Sequence, residues 1–333
     1  MRVAVLGSGS WGSALAMVVA EKGHRVTLWG RRAELAESIE RTRENATYLP
    51  GARFPNSLTA TNSLSQTLDG AEMIILAVPT HGLREVLRES APLVRAHVPI
   101  VSATKGIEND TLMLVNEVVE SEWRWSPSYF SALSGPSFAK EVANKLPTVV
   151  VTAAREVPIA REVQKAFFSD GSFRVYVSND VVGVEMGGAL KNVIAIAAGA
   201  SDGMGFGHNA RAALITRGLA EIARLAVKLG GQPLTLAGLA GMGDLVLTCT
   251  GELSRNRFVG FELGKGRALE TILGEMRQVA EGVRTARSAQ ALAAREGVPM
   301  PIVGEVYKVL YEGKDPKAAV RDLMVREAHF EFD

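Results

Sequence analysis

A chain of 333 residues is long enough for one or two domains, each with a full core. Its formal charge of +1 excludes a bulk field that would recruit nucleic acid or an anionic membrane, and its single cysteine, Cys249, excludes an internal disulfide. One buried structural thiol fits a reducing compartment, and the chain opens directly on a core-like strand, so a cytoplasmic protein without a secretory leader is expected.

That first strand is Arg2-Val-Ala-Val-Leu6, which leads into Gly7-Ser-Gly9-Ser-Trp-Gly12 and an Ala-rich helical pattern over 13–20. Strand, glycine-rich turn and helix in this order are the context of a dinucleotide fingerprint. Gly7 permits a tight turn, Gly9 lets a pyrophosphate approach the backbone, and Gly12 lets the helix lie close to the sheet. The helix start then offers free N–H groups to the phosphates. A glycine turn with no ligand is the alternative. The second strand, 23–29, ends in Gly30-Arg31-Arg32, where an NAD-selective site usually carries Asp or Glu for the ribose hydroxyls. Guanidinium groups pair with a 2′-phosphate, so NADPH is the expected cofactor and NADH the weaker one. Solvated charges near a helix start are the alternative for Arg31 and Arg32.

Further strands are expected at 72–78, 98–102, 129–133, 147–152 and 173–177, with helices at 82–89, 112–121 and 158–168 between them. Continuous apolar strands separated by helices imply a mostly parallel sheet covered on both faces, the last two strands being possible antiparallel additions. From Asn179 the pattern is helical, at 181–200, 210–229, 257–263, 269–276, 285–296 and 302–311. The fold class is therefore an α/β Rossmann-like N-terminal domain, 1–178, followed by an all-α C-terminal substrate domain, 179–333. The active site belongs in the cleft between them, outside the carboxyl ends of the strands. Residues 181–200 are apolar enough to suggest a membrane span, but Glu185, Lys191 and four glycines inside the stretch favour a buried helix.

Lys191 is the lone cation of that helix, and an unpaired buried ammonium is costly, so it must face a cleft or a carboxylate, unless it is a structural or snorkelling lysine. Desolvation and nearby cations would lower its pKa toward the range useful for proton transfer. Lys105 follows the fourth strand at the carboxyl edge. Asp244, in Gly241-Met-Gly-Asp244, reads as an acceptor for Lys191 or a substrate hydroxyl, or equally as a helix cap. Ser254-Arg255-Asn256 opens a helix and suits a phosphate or other small anion, with an ordinary capped helix as the alternative. Gly135-Pro-Ser137 is a turn at the carboxyl edge that either touches ligand or only joins strand to helix. The five histidines show no metal-ligand spacing, so no metal is expected.

Seven stretches, in order, carry a resemblance: Gly7-Ser-Gly-Ser-Trp-Gly-Ser-Ala-Leu-Ala16, Asn45-Ala-Thr-Tyr-Leu-Pro50, Ala103-Thr-Lys-Gly-Ile107, Ser134-Gly-Pro-Ser-Phe-Ala139, Gly188-Ala-Leu-Lys-Asn192, Gly241-Met-Gly-Asp-Leu245 and Ser254-Arg-Asn256. Together they resemble the soluble, bacterial NAD(P)-dependent glycerol-3-phosphate dehydrogenase family over essentially the whole chain. The resemblance implies reversible reduction of dihydroxyacetone phosphate to sn-glycerol 3-phosphate, feeding phospholipid synthesis, by a homodimer. It implies Lys191 as proton donor and acceptor, with Lys105, Gly135, Ser137, Asp244, Ser254, Arg255 and Asn256 on the substrate. It implies Ser10, Trp11, Arg31, Arg32, Tyr48, Lys105, Ala139, Arg255, Val279 and Glu281 along the cofactor, beside the glycine loop. Asp244 would then hold Lys191 charged, and Lys105 would add a second donor near the reacting carbon. A β-hydroxyacid or 6-phosphogluconate-like dehydrogenase is the nearest rival, and a non-catalytic NADPH sensor a rival of another class.

Overall fold

In a computed structural model that describes residues 1–169, 171–276 and 278–325, strand and helix alternate through the first half of the chain. The elements are β1 (Arg2–Leu6), α1 (Ser10–Glu21), β2 (Arg25–Trp29), α2 (Ala33–Thr42), β3 (Glu44–Asn45), β4 (Leu49–Arg53), β5 (Leu58–Thr61), α3 (Leu64–Leu68), β6 (Met73–Leu76) and α4 (Thr80–Ser90). They continue with β7 (Ile100–Ser102), α5 (Val115–Glu122), β8 (Phe130–Ser134), α6 (Ala139–Ala143), β9 (Thr148–Ala154), α7 (Val157–Phe167) and β10 (Phe173–Ser178).

The main sheet has the order β10-β9-β8-β7-β6-β1-β2-β5. From β5 to β8 all pairs are parallel; β9 runs against β8, and β10 runs with β9. The last two strands are thus the expected antiparallel additions. From β1 the chain moves outward through β2 to β5, then returns to β6 on the other side of β1. The reversal leaves a crevice at the carboxyl ends of β1 and β6, where open α/β sheets bind ligands. Successive residues of β1 feed opposite faces. Val3 and Val5 pack with Leu15 and Val19 of α1; Ala4 and Leu6 pack with Leu83 and Leu87 of α4 and Val119 of α5.

Three strands, β3, β4 and β5, lie outside the expectation, as do short helices at Ala33–Thr42, Leu64–Leu68, Ala139–Ala143, Pro233–Ala237, Asp244–Thr250 and Pro316–Met324. β5 is Leu-Thr-Ala-Thr with only Leu58 buried, so an edge strand lacks the apolar run that marks interior ones. The β3–β4 hairpin stands apart from the main sheet and shows no alternation either. The expected strands at 72–78 and 98–102 are shorter, at Met73–Leu76 and Ile100–Ser102; Ala77 and Val78 have left β6 and line the crevice.

Beyond Ser178 the described residues hold no strand. α8 (Val181–Gly203) is followed by α9 (Gly207–Lys228), α10 (Pro233–Ala237), α11 (Asp244–Thr250), α12 (Arg255–Gly264), α13 (Leu269–Glu275), α14 (Glu281–Glu296), α15 (Pro301–Tyr311) and α16 (Pro316–Met324). Residues 326–333 of the expected helical half lie outside the described residues. α8 is the axis of this half, and its most apolar window is 89% buried, so its apolarity serves a core. A Cβ at Gly199 would collide with the Arg257 carbonyl oxygen, and one at Gly260 with the Ile196 carbonyl oxygen. α8 and α12 therefore touch backbone to backbone, which brings the start of α12 against the Lys191–Asn192 face of α8.

Candidate active site

The glycine loop forms the floor of a cleft of about 980 Å³ that spans both halves of the chain. Gly7 has φ of +120°, and a Cβ there would sit 2.5 Å from the Ala77 carbonyl oxygen. A Cβ at Gly12 would meet the Gly7 carbonyl oxygen, whereas one at Gly9 would find nothing within 4 Å. Two glycines are thus demanded by packing, while the third leaves open space before the first turn of α1. Gly9 caps that helix with no side-chain acceptor. The indole Nε1 of Trp11 is buried without a partner. Open space, free helix N–H groups and an orphaned donor fit a dinucleotide's phosphates and sugars. Asn45 explains the Asn45–Pro50 motif: its Nδ2 donates to the Ser8 carbonyl at 2.8 Å and to Ser13 Oγ at 2.9 Å, tying the hairpin to the loop.

Past the end of β2, Arg31 and Arg32 line the cleft, but neither side chain is free. Arg31 Nη2 donates to Glu85 Oε2 of α4 at 2.9 Å. Arg32 Nη2 donates to Tyr48 Oη at 2.9 Å, with its guanidinium carbon 5.5 Å from that ring's centre. Gln278, from the helical half, closes over the same side; it accepts from Ser10 Oγ at 3.5 Å and donates to the Tyr48 carbonyl at 3.4 Å. Neither Glu85 nor Gln278 was expected. A lone Glu on a helix or a Gln before a helix carries no sequence signal of its own.

At the carboxyl edge three charges from distant stretches converge. Lys191 Nζ donates to Asp244 Oδ1, and Lys105 Nζ donates to Asp244 Oδ2 at 2.7 Å, although Lys105 and Asp244 are 139 residues apart. Ser134 Oγ donates to the same Oδ2 at 3.2 Å. Asp244 is completely buried at the first turn of α11, and Lys191 is 7% exposed. Burial works to raise the Asp244 pKa, yet the two ammonium groups outweigh it and hold the carboxyl below its ordinary value. Burial lowers Lys191 to about 7; Asp244 opposes that shift and Lys105 adds to it. Lys105 and Lys191 both line the cleft, and Asp244 sits behind them. Asp244 begins α11 without capping it through its side chain, so the acceptor reading is the one that holds.

Ser254, Arg255 and Asn256, the residues expected to hold an anion, line the cleft wall. Ser254 Oγ caps α12 by accepting from the Arg257 N–H at 3.2 Å. Arg255 Nη1 donates to the Val279 carbonyl at 2.8 Å. Asn256 is held at both ends of its amide: Nδ2 donates to Asn192 Oδ1 at 2.8 Å, and Oδ1 accepts from the Gly282 N–H at 2.9 Å. Burial pushes the Glu281 carboxyl up to about 7, opposed by Arg255 and Arg284. Ser137, Ala139, Val279 and Glu281 all border the cleft, with Ser137 Oγ donating back to the Gly135 carbonyl at 2.8 Å. Gly12 and Gly135 do not border it. Gly135, at φ of +137° and packed on Val150, makes the turn that presents Ser137. Cys249 is fully buried and pushed up to about 12 by that burial, an inert structural thiol.

Residues 2–160 match the family described as NAD-dependent glycerol-3-phosphate dehydrogenase N-terminus, and residues 180–321 match its C-terminus. The glycerol-3-phosphate dehydrogenase (NAD(P)+) of Myxococcus xanthus is 55% identical over 334 aligned residues, covering 100% of this chain and 99% of the relative. That of Anaeromyxobacter sp. strain K is 56% identical, covering 98% of each. The crystal structure of the glycerol-3-phosphate dehydrogenase from Coxiella burnetii superposes with a TM-score of 0.93 at 40% identity, covering 98% of this chain and 99% of that one.

Proposed function

The chain belongs to the NAD-dependent glycerol-3-phosphate dehydrogenase family, and we propose that it interconverts dihydroxyacetone phosphate and sn-glycerol 3-phosphate with Lys191 as the proton donor and acceptor. The observation that carries this reading is the cluster of Lys105, Lys191 and Asp244 at the cleft, one ionised carboxylate between two ammonium groups. The glycine loop, Trp11, Arg31, Arg32 and Tyr48 would hold a nicotinamide dinucleotide, which would supply the hydride when bound.

As hydride reaches the ketone carbon, negative charge grows on its oxygen. The Lys191 ammonium stabilises that charge and gives up its proton; in the oxidative direction the neutral amine takes it back. Asp244 stays ionised throughout, and anchors both lysines so that two positive groups face one developing charge. Arg255, Asn256 and the start of α12 bind the phosphate at a distance from the reacting carbon, so binding energy there orients the substrate.

Ser254-Arg255-Asn256 joins a helix N-terminus to a guanidinium and an amide, a set that can hold a phosphate monoester, and the family match favours the phosphorylated ketone over the carboxylate substrates of a β-hydroxyacid enzyme. Two domains meeting near Ser178, a homodimer, a cytoplasmic site and a supply of glycerophospholipid backbone complete the proposal. Buried Cys249 as the lone thiol suits a reducing compartment. The test is NADPH oxidation with dihydroxyacetone phosphate, set against a carboxylate ketone. Lys191→Ala should lose about a hundredfold or more in kcat while NADPH affinity is kept. A near-normal kcat would remove Lys191 from proton transfer. Arg255→Ala should raise the substrate KM, and an unchanged KM would remove the phosphate contact.

A further inference from the structure

The end of β2 lacks the carboxylate that usually receives an adenine ribose, yet the cleft beside it does not. Glu85 reaches the same place from α4, on the far side of the crevice, and its Oε2 accepts from Arg31 Nη2 at 2.9 Å. The Arg31 guanidinium lies over the first turns of α4, 3.8 Å from where a Cβ of Gly82 would stand. Among the described residues lining the cleft, Glu85 and Glu281 are the carboxylates, and Glu281 sits with Arg255. Glu85 is therefore the negative charge at the Arg31–Arg32 end.

We propose that Glu85 is a specificity-determining residue that sets the balance between NADH and NADPH, accepting the 2′-hydroxyl of an adenine ribose and opposing a 2′-phosphate at the same position. The proposal rests on the reading of this cleft as a dinucleotide site. A ribose hydroxyl is a donor, and a carboxylate is its strongest acceptor. A 2′-phosphate is an anion that Arg31 and Arg32 attract and Glu85 repels. The two side chains of the Arg31–Glu85 pair are each 61% exposed, so the pair is screened and easily opened. Arg31 can exchange Glu85 for phosphate at little cost, and Glu85 is then free of it. One subsite thus holds opposed preferences, which suits a protein that uses either cofactor.

The experiment is direct titration of the unliganded protein with NADH and with NADPH, read by cofactor fluorescence, for wild type, Glu85→Gln, Arg31→Ala and the double variant. Glu85→Gln should weaken NADH and tighten NADPH, moving the ratio of the two dissociation constants by about tenfold. The loss of NADH affinity should persist when Glu85→Gln is made in the Arg31→Ala background, because the hydroxyl contact belongs to Glu85 itself. A ratio within about twofold of wild type would overturn the proposal while leaving the cofactor site intact. So would an NADH loss that vanishes without Arg31, since Glu85 would then only hold that side chain. A wild-type protein that binds neither dinucleotide would sink the underlying reading of the cleft as well.

Discussion

Lys191 and Asp244 are each intelligible only through the other. A buried ammonium at about 7 is poised to gain or lose a proton near neutrality, and Asp244 prevents burial from lowering it further. Reduction needs the charged amine, so its kcat should fall as pH rises through about 7, while oxidation of glycerol 3-phosphate should rise over the same range. Paired pH profiles at saturating cofactor read both limbs. Asp244→Asn removes the one charge that favours the ammonium, so both limbs should move to lower pH and kcat should drop by about a hundredfold. An unmoved profile would show that Asp244 is not the counter-ion that sets this titration. The sequence made Lys191 conspicuous, since it stands alone in an apolar helix, and left Asp244 balanced between acceptor and cap. It gave no hint that Lys105 would share the carboxylate, because a contact across 139 residues is a property of the fold. Glu85 and Gln278 were invisible for the same reason: each matters only through what lies across the cleft.

α8 illustrates how a helix can serve two halves at once. Its first turns bury Val181 and Val184 against the sheet, and its later turns form the centre of the helical core. Glu185 sits at the changeover, with Oε1 accepting from the Asn116 N–H of α5 at 2.9 Å and Oε2 buried without a partner. Burial raises this carboxyl from 4.5 to about 8; the Asn116 bond and Arg155 oppose the shift, and Glu117 adds to it. The folded state therefore holds a proton that the unfolded chain has already released. Stability from this group is full below about 4.5, declines as pH rises toward about 8, and levels above it. Glu185→Gln keeps the acceptor and replaces the protonated oxygen with an amide. Its melting temperature relative to wild type should be higher at about pH 9 than at about pH 5, by an amount reflecting at most a few kcal/mol. An equal offset at both pH values would mean that Glu185 does not ionise in this range. The element pattern was legible wherever a run was apolar: β1, β2 and β6 to β10, the last of them an edge strand, all stand where such runs occur, and α8 read as a buried helix. Elements that bury a single residue, such as β5, or that hang from a polar anchor, such as the hairpin held by Asn45, leave no periodic trace.

On the scale of the whole molecule, the sheet half and the helical half share cores and charge. Val181, Val184 and Ala240 belong to the sheet's core, while Ile107 and Leu114 belong to the helical one. Lys105 crosses to Asp244, and Gln278 crosses back to Ser10 and the Tyr48 carbonyl. Loss of either half would expose part of the other's core, and loss of the sheet half would leave the buried Asp244 carboxylate without Lys105, a costly state. The two halves should therefore melt together, although the change from alternating strands and helices to helices alone falls near Ser178. The cleft draws on both, so a bound dinucleotide should stabilise both. At a hundredfold excess over its dissociation constant, NADPH adds about 2.7 kcal/mol, which for a chain of this length shifts the midpoint by roughly 4 °C. Calorimetry should show one transition that moves upward as a unit. Two transitions, of which NADPH moves only one, would show that the halves unfold independently and that the shared cores contribute little to their coupling.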